Sequence, residues 1–125
     1  MSDEEACTLV AIVDDDESVR GAVAGLMKAV GLAARTFASA EEFLDSGEQQ
    51  RTGCLIADIR MPGMSGLELH AMLKASSRPI PTIFITAHGD ETTRNSALRN
   101  GAVDLVAKPF DDEVLLASVR AVLEC

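Results

Sequence analysis

Tryptophan and tyrosine are absent from this 125-residue chain, and phenylalanine occurs only four times. A core of large aromatic rings is thereby excluded, and the interior must be assembled from Val, Leu, Ile, Ala and Met. Basic residues are scarce as well: 11 Lys and Arg against 20 Asp and Glu leave a formal charge of −9, and the cations form no run. That argues against direct contact with DNA, RNA or an anionic membrane, which need clustered cations to displace their counterions. Cysteine occurs three times, at Cys7, Cys54 and Cys125, with no CxxC pair and no metal-site spacing. An odd count in a chain with an adequate core reads as a reducing compartment, so a cytoplasmic location is expected. Cys54 lies in an apolar run and reads as a small core residue. The opening Met-Ser-Asp-Glu-Glu is acidic, unlike the basic start of a secretory signal, and no apolar run approaches the ~20 residues that cross a bilayer.

What is present is the mix of a globular domain, 47% hydrophobic and 25% charged, at a length that suits one domain, taken as residues 1–125. Thr8–Val13 is a continuous apolar run, typical of a strand covered on both faces. Val19, Val23, Leu26, Met27 and Val30 then follow helical spacing, closed by Gly31. Ala33–Phe37 is a weaker strand suited to an edge. Ser39 with Glu42, and Ser65 with Glu68, have the spacing of capping boxes; the first opens a short helix with Phe43 and Leu44 inward, the second a helix buried through Leu69, Met72 and Leu73. Gly53–Asp58, Pro81–Thr86 and Val103–Ala107 are further strands. Asp90 is placed to cap a helix ending at Gly101, and Asp111 or Asp112 a last helix facing inward with Leu115, Val119, Val122 and Leu123. Strand starts near 8, 33, 54, 81 and 103 mark five βα units. That rhythm predicts an α/β fold, a five-stranded parallel sheet with helices on both faces.

Ligands of open α/β sheets bind outside the carboxyl ends of the strands. There stand Asp14, Asp15 and Asp16 after the first run, Asp58 after the third, Thr86 after the fourth and Lys108 after the fifth. Polar residues often begin where strands end, which explains any one of these but not all together. Like charges 4 Å apart repel by about 4 kcal/mol at moderate dielectric, so such a cluster needs a compensating cation. Oxygen ligands without His or Cys point to a hard cation, Mg²⁺ or else Mn²⁺. Carboxylates, a metal ion, an ammonium and a hydroxyl together suit phosphoryl transfer to an aspartate.

Val13-Asp-Asp-Asp16, Asp58-Ile-Arg-Met-Pro-Gly-Met-Ser-Gly66, Ile85-Thr-Ala87 and Lys108-Pro-Phe110 resemble the receiver domain of two-component response regulators, over about residues 8 to 123. Ile85-Thr-Ala-His-Gly-Asp90 and Gly101-Ala-Val-Asp104 resemble its FixJ type. The resemblance implies a flavodoxin-like sheet of order 2-1-3-4-5 and a phosphorylation-controlled signalling module rather than a classical enzyme. It implies Asp58 as phosphoacceptor, Asp15 as direct Mg²⁺ ligand, Asp14 as a second acidic ligand and the Arg60 backbone carbonyl as another. Lys108 would pair with the phosphoryl group and Thr86 would move to hydrogen-bond it. Arg60 and His88 would flank the group and tune its hydrolysis, Asp16 would be a solvated neighbour or helix cap, and Lys108-Pro109 would be cis. The implied partners are a sensor histidine kinase or phosphotransfer protein, and a downstream protein or second copy at the face of the fourth helix, fifth strand and fifth helix. One position departs from the family: Leu105 stands three residues before the lysine, where Tyr or Phe is common. The expectation for the whole chain is a receiver without an output domain; a receiver fragment of a longer DNA-binding regulator is the alternative. A competing class is a haloacid-dehalogenase-type phosphatase, in which Asp14-x-Asp16-x-Ser18 would supply the nucleophile, leaving Asp58 unexplained.

Overall fold

The computed structural model describes residues 9–76, 79–87 and 91–123. Five strands alternate with five helices: β1 (Leu9–Val13), α1 (Glu17–Ala29), β2 (Ala33–Phe37), α2 (Ala40–Ser46), β3 (Thr52–Asp58), α3 (Gly66–Ala75), β4 (Thr82–Thr86), α4 (Glu91–Arg99), β5 (Asp104–Ala107) and α5 (Asp112–Leu123), with a 3-10 turn at Glu48–Arg51. All strand pairs are parallel, in the order β2-β1-β3-β4-β5, the flavodoxin-like arrangement. The chain leaves β1 to one side and returns to β3 on the other. This reversal opens a crevice at the carboxyl ends of those two strands.

The continuous apolar runs are explained by burial on both faces: every residue of β1 and β4 is buried, whereas β2, at the edge, buries only Phe37. One core layer joins Ala11, Val13, Leu55, Ala57, Phe84 and Leu105 to Phe43 of α2, Leu69 and Leu73 of α3 and Ala97 of α4. The other joins Val10, Ile12, Cys54, Ile56, Ile83 and Ile85 to Val23 and Met27 of α1 and Leu115 and Val119 of α5. Cys54 is fully buried there, and burial pushes its thiol up to about 12, so it is an inert filler. No helix among the described residues is long and apolar enough to cross a membrane.

Local rules fail at two places. Met72 is half exposed at 50%, and His70 is buried in its stead, its ring meeting Phe84 edge to face at 5.5 Å. Helix α3 is thus rotated so that an imidazole rather than a thioether covers Phe84 of β4. The Ser65–Glu68 capping box is complete, but at α2 only Ser39 plays its part: Glu42 reaches past the cap to the N–H of Ala38, at 3.4 Å. Gly63 has a left-handed φ of 76° and so serves a turn, whereas Gly66 serves a close approach, since a Cβ there would lie 2.1 Å from the Asp58 carbonyl oxygen.

Candidate functional site

Register places the crevice residues. Val13 pairs with Ala57, and Asp58 with Ile85, so Asp14, Asp58 and Thr86 leave the sheet side by side. The Asp14 backbone is fixed from two directions, its N–H donating to the Phe37 carbonyl at 3.1 Å and its carbonyl accepting from Arg20 Nη1 at 2.7 Å. One carboxylate oxygen from each of Asp14, Asp15 and Asp58 lies within 4.8 Å of the others. Asp14 is fully buried, Asp58 nearly so, and Asp15 exposed.

Lys108, the first residue after β5, binds this cluster. Its Nζ donates to Asp58 Oδ2 at 2.9 Å and lies 3.1 Å from Asp14 Oδ2. Its backbone N–H donates to the Thr86 carbonyl at 2.8 Å, which locks the end of β5 to the end of β4, and the Lys108-Pro109 bond is cis. Thr86 itself is buried. The second oxygen of Asp58 accepts the Arg60 N–H at 3.1 Å, turning the chain out of β3.

Charge in the crevice is unevenly compensated. Burial lifts the Asp14 carboxyl above its ordinary value, and Asp58 adds to the shift, while the Asp16 N–H and Lys108 oppose it. Burial pulls the Lys108 ammonium down, but the hydrogen bond it donates to Asp58 and its ion-pair contact with Asp14 outweigh it, so its pKa is raised and it stays charged. Even so, Asp14 Oδ2 is buried without a hydrogen bond among the described residues; its compensation is the ion-pair contact with Lys108. A buried, unbonded carboxylate oxygen beside two further carboxylates, with no nitrogen or sulfur donor in the group, fits a hard divalent cation.

Most of the residues singled out by sequence thus converge: Asp14, Asp15, Asp58 and Lys108 meet in one crevice, Thr86 borders it, and the Arg60 backbone begins its rim. Asp16 does not join. Its Oδ1 accepts from the Ser18 N–H at 2.9 Å and the Ser18 hydroxyl at 2.6 Å, capping α1, so the Asp14-x-Asp16 pair of a phosphatase points two ways. His88 and the helix cap expected of Asp90 lie outside the described residues. Asp111 caps α5, accepting the N–H groups of Glu113 and Val114. Sequence reasoning missed Glu41 of α2, whose Oε2 accepts the Met64 N–H at 3.0 Å on the rim loop. It also missed Arg94 of α4, whose Nη1 donates to the Leu105 carbonyl at 2.9 Å and whose Nη2 approaches Asp104. No local pattern announces either, since their partners lie 23 and 11 residues away.

The profile of the response regulator receiver domain matches residues 10–120. The chain is 43% identical to the response regulator protein TodT of Pseudomonas putida over 124 residues, which cover 99% of this chain and 54% of that protein. It is 44% identical to the transcriptional regulatory protein FixJ of Azorhizobium caulinodans over 114 residues, 91% of this chain and 54% of that one. The chain thus spans about half the length of these curated relatives. Among solved structures, FixJ-N superposes with a TM-score of 0.83 at 41% identity, covering 93% of both chains. A response regulator receiver protein from Burkholderia phymatum superposes with a TM-score of 0.80 at 42% identity, covering 92% of this chain and 94% of that one. Strand order, acidic crevice, lysine and sequence agree, and the chain belongs to the response regulator receiver domain family of two-component signalling.

Proposed function

We propose that Asp58 is the phosphoacceptor of a signalling switch. A carboxylate oxygen of Asp58 forms a bond to phosphorus as the P–N bond of a phosphohistidine donor breaks, the electron pair leaving with the imidazole; with acetyl phosphate, acetate leaves instead. The carrying observation is the Lys108 contact at 2.9 Å, which sets an ammonium beside the acceptor, where charge grows on the phosphoryl oxygens. Asp14, Asp15 and Asp58, with the Arg60 carbonyl, would hold Mg²⁺, or Mn²⁺ in its place, which supplies charge neutralisation for the transferred group. Asp15, the exposed member, is the direct ligand; Asp14 is the second. Thr86, at the end of β4, is placed to donate its hydroxyl to the phosphoryl group and carry the change to β5.

The donor in this reading is a histidine kinase or phosphotransfer protein, and the domain acts in the cytoplasm. Its output leaves by the face of α4, β5 and α5. Three elements are tied there through one carboxylate, since Asp104 meets Arg94 of α4 and accepts from the Ser118 hydroxyl of α5 at 3.1 Å. The greater length of the curated relatives supports an output unit acted on by this domain, in the same chain or another. The test is Asp58→Asn, which keeps the shape and removes the nucleophile. Label from radioactive acetyl phosphate with Mg²⁺ should enter the wild type and fall to background in the variant; equal label in both would overturn the assignment.

A further inference from the structure

The rim of the crevice is a loop, residues 59–65, closed where the Gly66 N–H donates to the Ile59 carbonyl at 3.0 Å. One end starts at the Asp58 carboxylate, through the Arg60 N–H. The other end runs into the capped start of α3. Its tip, Gly63–Met64, is reached from a different element. Glu41 projects from α2 so that Oε2 accepts the Met64 N–H at 3.0 Å and lies 2.9 Å from the position a Cβ of residue 63 would take. Two backbone N–H groups, its own and that of Met64, hold the Glu41 carboxyl below its usual range, so the acceptor is the charged form, which makes the stronger bond. Gly63 is required by its φ of 76°, and a side chain there would press on the Glu41 carboxylate.

We propose that Glu41 is a positioning residue for the metal and phosphoryl site: by pinning the loop tip it fixes the Arg60 backbone, and so sets the affinity of the crevice for Mg²⁺. This rests on the reading of Asp14, Asp15, Asp58 and the Arg60 carbonyl as the metal site. Glu41 touches neither metal nor phosphoryl group. It acts through a loop whose other tie, the Asp58–Arg60 hydrogen bond, uses the acceptor carboxylate itself, so slack at the tip is felt at the acceptor.

The experiment titrates Mg²⁺ into wild type, Glu41→Ala, Glu41→Gln and Asp15→Ala by calorimetry, with amide exchange at Met64 followed in parallel. Glu41→Ala should raise the Mg²⁺ dissociation constant about two- to tenfold, the range open to a single lost hydrogen bond, and Met64 should lose protection. Glu41→Gln keeps an acceptor oxygen and should restore most of both. Mg²⁺ affinity unchanged in Glu41→Ala while Met64 loses protection would overturn the proposal, and so would unchanged protection. Asp15→Ala separates the two claims: if it binds Mg²⁺ like wild type, the reading of the metal site itself has failed, whatever Glu41 does.

Discussion

At the residue scale, the crevice is governed by one atom, Asp14 Oδ2, buried beside a lysine and without a hydrogen bond among the described residues. Lys108 serves two carboxylates with one charge, so a divalent cation relieves what the lysine leaves over, and by mass action it should raise the melting temperature. Asp15→Ala should abolish that Mg²⁺-induced rise, whereas Asp16→Ala should keep most of it, since Asp16 is spent on the Ser18 cap. Melting curves of both variants with and without MgCl₂ decide this, and equal responses would refute the assignment of Asp15. His70 offers a pH test away from the crevice. Burial lowers its pKa, with Lys74 of the same helix adding to the effect. The folded state therefore takes up fewer protons below the ordinary 6.5 than the unfolded chain does. Its contribution is fully present above that value and is lost as pH falls towards the depressed folded value. His70→Phe should remove this dependence, so the stability gap between variant and wild type should shift in the variant's favour from pH 7.5 to pH 5, as measured by urea unfolding at both pH values. A gap constant with pH would show that His70 is not held neutral by its surroundings.

Among the elements, those with long apolar runs or clear caps were legible: β1, β3 and β4, the Ser65 box, the edge character of β2 and the five-unit rhythm that implies the sheet. So were the acidic residues and the lysine of the crevice, because strand ends are where a parallel sheet exposes polar side chains. Rotation of helices was not. A stripe of Leu69, Met72 and Leu73 fits a buried face as well as Leu69, His70 and Leu73 does, and only the position of Phe84 on the strand beneath decides. Contacts between distant elements were also invisible: Glu41 to Met64, and Arg94 to Leu105. The latter bears on how the switch reaches β5. Leu105 is buried opposite Phe84 and has no ring to swing. Its truncation to Ala should cost about 2–5 kcal/mol of stability by leaving a cavity yet preserve the response of α4, β5 and α5 to beryllofluoride, which mimics the phosphoryl group. Thr86→Ala should still accept the mimic but lose the response. Amide exchange over residues 91–123 reads both; a full response in Thr86→Ala with silence in Leu105→Ala would place the switch at Leu105.

For the whole molecule, the geometry describes one five-stranded sheet packed on both faces, with three carboxylates and a lysine gathered at one rim. Asp58 is the point where β3, the lysine after β5 and the rim loop meet, through Lys108 at 2.9 Å and the Arg60 N–H at 3.1 Å. A phosphoryl group there would alter both hydrogen bonds at once, and through Lys108 the tie of β5 to β4 at Thr86. The chain's −9 charge provides no basic field of the kind that attracts nucleic acid or an anionic membrane. The central claim is chemical and local, that Asp58 and no other carboxylate carries the phosphoryl group. It is tested most directly by treating the protein with acetyl phosphate and Mg²⁺, reducing the acyl phosphate with borohydride, and locating the reduced residue by peptide mass spectrometry. The account predicts reduction at Asp58, dependent on Mg²⁺ and suppressed by chelator. Reduction at Asp14 or Asp15, or at Asp58 in equal yield without the metal, would contradict it.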